Sequence, residues 1–92
     1  MEKILMIDDD VQLTELVDEF LSKKKYNIII KYNPIEGLDY LEKNEVNLII
    51  LDIMLPEMDG FQVLQKIRNT LSIPVIMLTA RGEVTDRIVG LE

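Results

Sequence analysis

Short apolar runs alternate with segments of helical period along the whole chain. Residues 3–7, Lys-Ile-Leu-Met-Ile, form a first apolar run that ends in Asp8-Asp9-Asp10. From Val11 the period changes: Leu13, Leu16, Val17, Phe20 and Leu21 recur at helical spacing, with Glu15, Asp18 and Glu19 between them. Asp10 is placed to cap this helix. Tyr26 to Lys31, centred on Ile28-Ile29-Ile30, predicts a second strand. Asn33-Pro34 then opens a second helix, with Asn as cap and Pro at the first helical position. Ile35, Leu38 and Leu41 give that helix its stripe, and Gly37 weakens it slightly. Asn47 to Asp52 is the most informative stretch. Leu48-Ile49-Ile50-Leu51 is an unbroken apolar run closed by one carboxylate, the mark of a strand buried on both faces.

Gly60 to Asn69 predicts a third helix with Phe61, Leu64 and Ile67 facing inward. Ile73 to Leu78 predicts a fourth strand, with Pro74 tolerated at its start, and Thr79-Ala80 follows it. From Glu83 onward, Val84, Ile88 and Leu91 have the spacing of a fourth helix. The order is then βαβαβαβα with no repeat or linker, which predicts an α/β fold: a parallel sheet, helices on both faces, right-handed crossovers. The fourth strand is apolar on both faces and is expected at an exposed edge, where it invites pairing with another chain.

Composition narrows the function classes. Ninety-two residues make one domain, and a hydrophobic content of 48% with mean hydropathy of +0.12 supports a packed core. No apolar run approaches the roughly 20 residues that span a bilayer, and no export signal is visible, so a cytoplasmic domain without membrane contact is expected. The absence of cysteine removes disulfides and thiolate metal sites. A net charge of −7 and a pI near 4.5 argue against direct contact with nucleic acid. The basic cluster Lys23-Lys24-Lys25 falls where a helix should end and complements its dipole.

In an open α/β sheet, ligands bind beyond the carboxyl ends of the strands. Asp8-Asp9, Asp52 and Thr79 end three different strands and should converge along that rim. Carboxylates brought that close repel one another and call for a cation. Oxygen ligands without His or Cys suit a hard ion such as Mg²⁺. An aspartate beside Mg²⁺ suits phosphoryl transfer, with the carboxylate attacking phosphorus. Each residue also has a plainer reading. Capping accounts for Asp10 and poorly for Asp8 and Asp9. Asp52 alone could be a strand-end loop residue, Thr79 alone is uninformative, and Asp59-Gly60 is first of all a turn signal.

Together the segments Ile4 to Asp10, Leu51 to Gly60 and Pro74 to Arg81 closely resemble the receiver domain of two-component response regulators, and the resemblance runs through the whole chain. The segment from Leu78-Thr79-Ala80-Arg81-Gly82 through Asp86 to Glu92 is most similar to receivers joined to a winged-helix DNA-binding domain. The resemblance implies a flavodoxin-like, three-layer αβα fold with sheet order 2-1-3-4, the fifth strand and helix lying beyond the chain. It implies phosphorylation on Asp52 by a sensor histidine kinase. Asp9 is implied as direct Mg²⁺ ligand with Asp52, Asp8 as a ligand through water, and the Met54 backbone carbonyl as a further ligand. Thr79 matches the hydroxyl that contacts the phosphoryl group, and Ala80 the small residue that leaves access to it. Receivers also carry a lysine at the end of strand five; no lysine here matches it, and Lys66 lies within the third helix. The expectation is a chain that binds Mg²⁺ but phosphorylates slowly or signals poorly, and that self-associates through the exposed fourth strand. Nucleic acid would be met only through an output domain absent from this chain. A Mg²⁺-dependent phosphatase acting on external substrates is disfavoured, because Met54 occupies the position where such enzymes carry an acid two residues after the nucleophile. Flavin binding is disfavoured by three aspartates where a phosphate would sit.

Overall fold

The computed structural model describes residues 2–55 and 57–78, and residues 84–89 as backbone only. In order the elements are β1 (Lys3–Ile7), α1 (Val11–Lys23), β2 (Asn27–Lys31), α2 (Pro34–Lys43), β3 (Leu48–Asp52), α3 (Gly60–Arg68), β4 (Val75–Leu78) and β5 (Val84–Val89). The sheet runs β2-β1-β3-β4-β5. Its first four strands are parallel and take the expected order 2-1-3-4.

The last strand corrects the sequence reading. Within the segment from Glu83 read as a helix, Val84–Val89 forms β5 instead, and β5 pairs antiparallel with β4. A strand edge presents a row of backbone donors and acceptors that need partners. Val84, Thr85, Ile88 and Val89 are β-branched and suited to supply them. The edge of β4, expected to be free for another chain, is therefore occupied by this chain's own backbone.

The two faces of the sheet differ. On one, Leu5, Ile7, Ile49, Leu51, Val75 and Met77 are buried in a single cluster with Val63, Leu64 and Ile67 of α3. Half-buried Leu38, Tyr40 and Leu41 of α2 complete it. Gly37 is itself buried, because the α2 backbone lies against the Ile7 side chain at that point and a Cβ would collide with Ile7 Cδ1. On the opposite face Ile4 and Met6 are buried, while their neighbours Leu48, Ile50, Ile76 and Leu78 are only half-buried.

Four residues of the expected stripes lie outside. Leu16 and Phe20 are exposed at 64% and 59%, and α1 instead buries Thr14, whose hydroxyl donates to the Val11 carbonyl at 2.9 Å. Ile35 of α2 and Phe61 of α3 also lie outside. In α3 it is Val63, not Phe61, that turns inward. Periodicity marks an apolar arc, but only the part with a facing partner is buried.

Each helix has a side-chain cap. Asp10 accepts from the Leu13 N–H, Asn33 from the Glu36 N–H, and Asp59 from the Gln62 N–H, with Gln62 returning a bond from the Asp59 N–H. The C-terminus of α1 closes with the Lys25 and Tyr26 N–H groups on the Ser22 and Leu21 carbonyls, which places Lys25 at φ 69°.

Candidate functional site

The register alone brings two of the acids together. β1 and β3 pair with Ile7 opposite Leu51, so the next residues, Asp8 and Asp52, stand side by side at the carboxyl rim. Asp9 follows directly. One carboxylate oxygen from each of Asp8, Asp9 and Asp52 lies within 4.8 Å of the others. Asp8 is buried, Asp52 is 9% exposed, and Asp9 faces solvent.

Backbone donors orient the two buried carboxylates. Asp8 Oδ1 accepts from the Asp10 N–H at 2.9 Å, and Asp52 Oδ1 accepts from the Met54 N–H at 3.2 Å. Asp10 in turn is spent on capping α1. The Asp8 N–H donates to the Lys31 carbonyl and the Ile53 N–H to the Leu78 carbonyl, so β2 and β4 brace the rim on either side.

The electrostatics are unfavourable for three bare anions. Burial pushes the Asp8 carboxyl up to about 6; the Asp10 N–H opposes the rise, and the charges of Asp52 and Asp9 add to it. Asp52 is raised in the same direction, again by burial first, with the Met54 N–H opposing and Asp9 adding. Neither of the two ion pairs among the described residues, Glu19–Lys23 and Asp39–Lys43, reaches the cluster. All-oxygen donors, clustered, with Asp8 and Asp52 raised in pKa chiefly by burial, fit a hard divalent cation. Asp8, Asp9 and Asp52 fit Mg²⁺ on that ground.

Of the residues singled out from sequence, Asp8, Asp9 and Asp52 are brought together. Met54 follows Asp52 in the loop, its side chain exposed and its N–H on the Asp52 carboxylate. Thr79 and Ala80 lie outside the described residues. The sequence marks Gly60 as a turn residue and the entry to the third helix. Its N–H donates to the Ile53 carbonyl at 2.6 Å, directly beside Asp52.

A parallel α/β sheet with an acidic cluster at its carboxyl rim defines a class of domain, the doubly wound fold with its candidate ligands beyond the strand ends. Comparison with known proteins places this chain within that class. Residues 4–92 match the response regulator receiver domain family, and the chain belongs to it. It is 44% identical over 90 residues to the regulatory protein VanRc of Enterococcus gallinarum, covering 98% of this chain and 39% of that one. It is 44% identical over 92 residues to the transcriptional regulatory protein CpxR of Escherichia coli, covering all of this chain and 39% of CpxR. The chain thus spans about two-fifths of the length of these relatives. Among solved structures it resembles the response regulator TrrA of Thermotoga maritima in complex with Mg²⁺-BeF, with TM-score 0.81 and 34% identity over 87% of this chain and 70% of that one. It also matches the complex of histidine kinase ThkA with TrrA, with TM-score 0.83 and 33% identity over 90% of this chain and 72% of that one. No helix among the described residues is long and apolar enough to cross a membrane.

Proposed function

We propose that this chain is a cytoplasmic phosphoacceptor domain that takes a phosphoryl group from a sensor histidine kinase onto Asp52, with Mg²⁺. The observation that carries the reading is the Asp52 carboxylate, 9% exposed and within 4.8 Å of the oxygens of Asp8 and Asp9. Asp9 and Asp52 would ligate Mg²⁺ directly, Asp8 through water, and the Met54 backbone carbonyl would complete the protein's share. Mg²⁺ when bound neutralises charge on the phosphoryl oxygens. The Met54 N–H holds Asp52 Oδ1, which leaves Oδ2 to attack. The new O–P bond forms as the P–N bond of the donor phosphohistidine breaks, and the departing imidazole keeps or takes up a proton. Thr79 would contact the transferred group through its hydroxyl, and the small Ala80 would leave access to it. The chain's own aspartate is the substrate, with no turnover of an external one.

In a full-length parent the domain would control a winged-helix DNA-binding output domain. The transcriptional regulator CpxR, matched across the whole of this chain, supports that reading. The Mg²⁺-BeF complex of TrrA and its complex with a histidine kinase support the cofactor and the donor.

The test is incubation with a small phosphodonor and Mg²⁺, followed by intact-mass measurement. The expected result is a gain of one phosphoryl group that requires Mg²⁺ and is lost in Asp52→Asn. Phosphorylation persisting in Asp52→Asn would overturn the assignment.

A second reading, a receiver fragment acting mainly by self-association, is favoured by one observation. Leu16 and Phe20 are exposed on α1, and Leu48, Ile50, Ile76 and Leu78 are only half-buried on the sheet face opposite the core cluster.

A further inference from the structure

Gly60 does more than turn the chain. The loop that follows Asp52 folds back on its own starting point. Gly60, the first residue of α3, donates its N–H to the Ile53 carbonyl at 2.6 Å, bringing the start of α3 back to the residue that follows Asp52. A Cβ on Gly60 would stand 2.5 Å from the Asp52 carbonyl oxygen and 2.7 Å from the Ile53 Cα. Both are backbone atoms, which cannot swing aside as a side-chain terminus can.

They are also the atoms from which the site is built. The Asp52–Ile53 peptide carries the Asp52 side chain at one end and leads into Met54 at the other. Met54 supplies the N–H that orients Asp52 Oδ1. The start of α3 is itself held firmly, because Asp59 Oδ1 accepts from the Gln62 N–H at 2.9 Å and Gln62 Oε1 accepts from the Asp59 N–H at 3.1 Å. Gly60 is buried, and α3 behind it is anchored by Val63, Leu64 and Ile67 in the core. Bulk added at position 60 must therefore displace the Asp52–Ile53 peptide, since the helix cannot retreat.

We propose that Gly60 is a positioning residue for the cation site, its missing side chain letting α3 rest on the Asp52–Ile53 backbone and hold Asp52 and Met54 in register with Asp8 and Asp9. This rests on the phosphoacceptor reading above. Gly60 touches neither cation nor substrate; it acts through the Asp52–Ile53 peptide, which carries the Asp52 side chain.

The experiment is Mg²⁺ titration by calorimetry, with thermal melts in chelator, on the wild-type chain and on Gly60→Ala, Gln62→Ala and Ile67→Val. Ile67→Val lowers Tm through the core alone and should bind Mg²⁺ as the wild type does. Gly60→Ala should weaken Mg²⁺ binding by about 10-fold or more, as loss of a ligand's supporting partner does at metal sites. A folded Gly60→Ala with wild-type affinity overturns the inference. If Gly60→Ala does not fold, Gln62→Ala decides, because it loosens the same helix start without adding bulk. Weaker Mg²⁺ binding in that variant supports the inference, and unchanged binding overturns it. A wild-type chain that shows no Mg²⁺ binding is a different failure: it overturns the phosphoacceptor reading first and this inference with it.

Discussion

Asp8 and Asp52 hold protons more tightly when folded than an ordinary aspartate does, and that difference links folding to pH. Asp8 moves from 3.8 up to about 6, and Asp52 moves in the same direction. Between those two values the folded chain binds more protons than the unfolded one, so stability must fall as pH rises through that window. In chelator, Tm should decline from about pH 4 to about pH 6, and Asp8→Asn should remove much of the slope. Mg²⁺ should raise Tm more at neutral pH than at pH 4, since it binds the ionised carboxylates. A Tm that rose across that range in chelator would show that burial of these acids does not govern the pH response. The identities of Asp8, Asp9 and Asp52 were readable from their places at strand ends. The role proposed for Gly60 was not, because a turn glycine and a glycine pressed on a neighbouring peptide are the same letter.

Among the elements, the connection from α3 to β4 shows how a charged side chain can stand in for secondary structure. The Arg68 guanidinium donates to the Leu71 carbonyl at 3.0 Å and to the Ile73 carbonyl, tying down backbone that neither α3 nor β4 satisfies. Charge-assisted hydrogen bonds of this kind are each worth about 1.5–3 kcal/mol. Arg68→Met keeps most of the apolar stem and loses these bonds. It should destabilise the chain by about 2 kcal/mol in urea titration, and a loss near zero would mean that water replaces the guanidinium at no cost. The existence of α1, α2 and α3 was legible, and so were the caps Asp10 and Asn33, which meet the helix starts by local chemistry; Asp59, read as a turn and helix entry, also proved to be a cap. Which apolar residues the helices bury was not legible. Leu16, Phe20, Ile35 and Phe61 lie on apolar arcs wider than the surfaces that face them.

For the whole molecule the decisive feature is the inequality of the two sheet faces. One is closed by α2 and α3 around a single cluster; on the other, among the described residues, Ile4 and Met6 are buried while Leu48, Ile50, Ile76 and Leu78 are only half-buried. An apolar surface of that kind is where a second copy would dock. Light scattering should show association that rises with concentration and that Phe20→Glu reduces without lowering Tm, since Phe20 is 59% exposed. A monomer at all concentrations would remove the self-association reading. Association, if found, does not need the edge of β4, because β5 already pairs with it.

Local rules were sufficient for the four parallel strands, the three capped helices and the acids at the rim, because period, caps and strand ends are written in neighbouring residues. The fate of residues 84–89 was settled by tertiary structure. The same β-branched and apolar residues satisfy a helical period and a strand, and an unpaired edge on β4 decided between them. The closeness of Asp8 to Asp52, the raised pKa of both, and the contact of Gly60 with the Asp52 peptide likewise arise only on folding. They depend on register and burial between segments more than 40 residues apart in sequence, or on how tightly one loop closes, and neither quantity is carried by any single stretch of the chain.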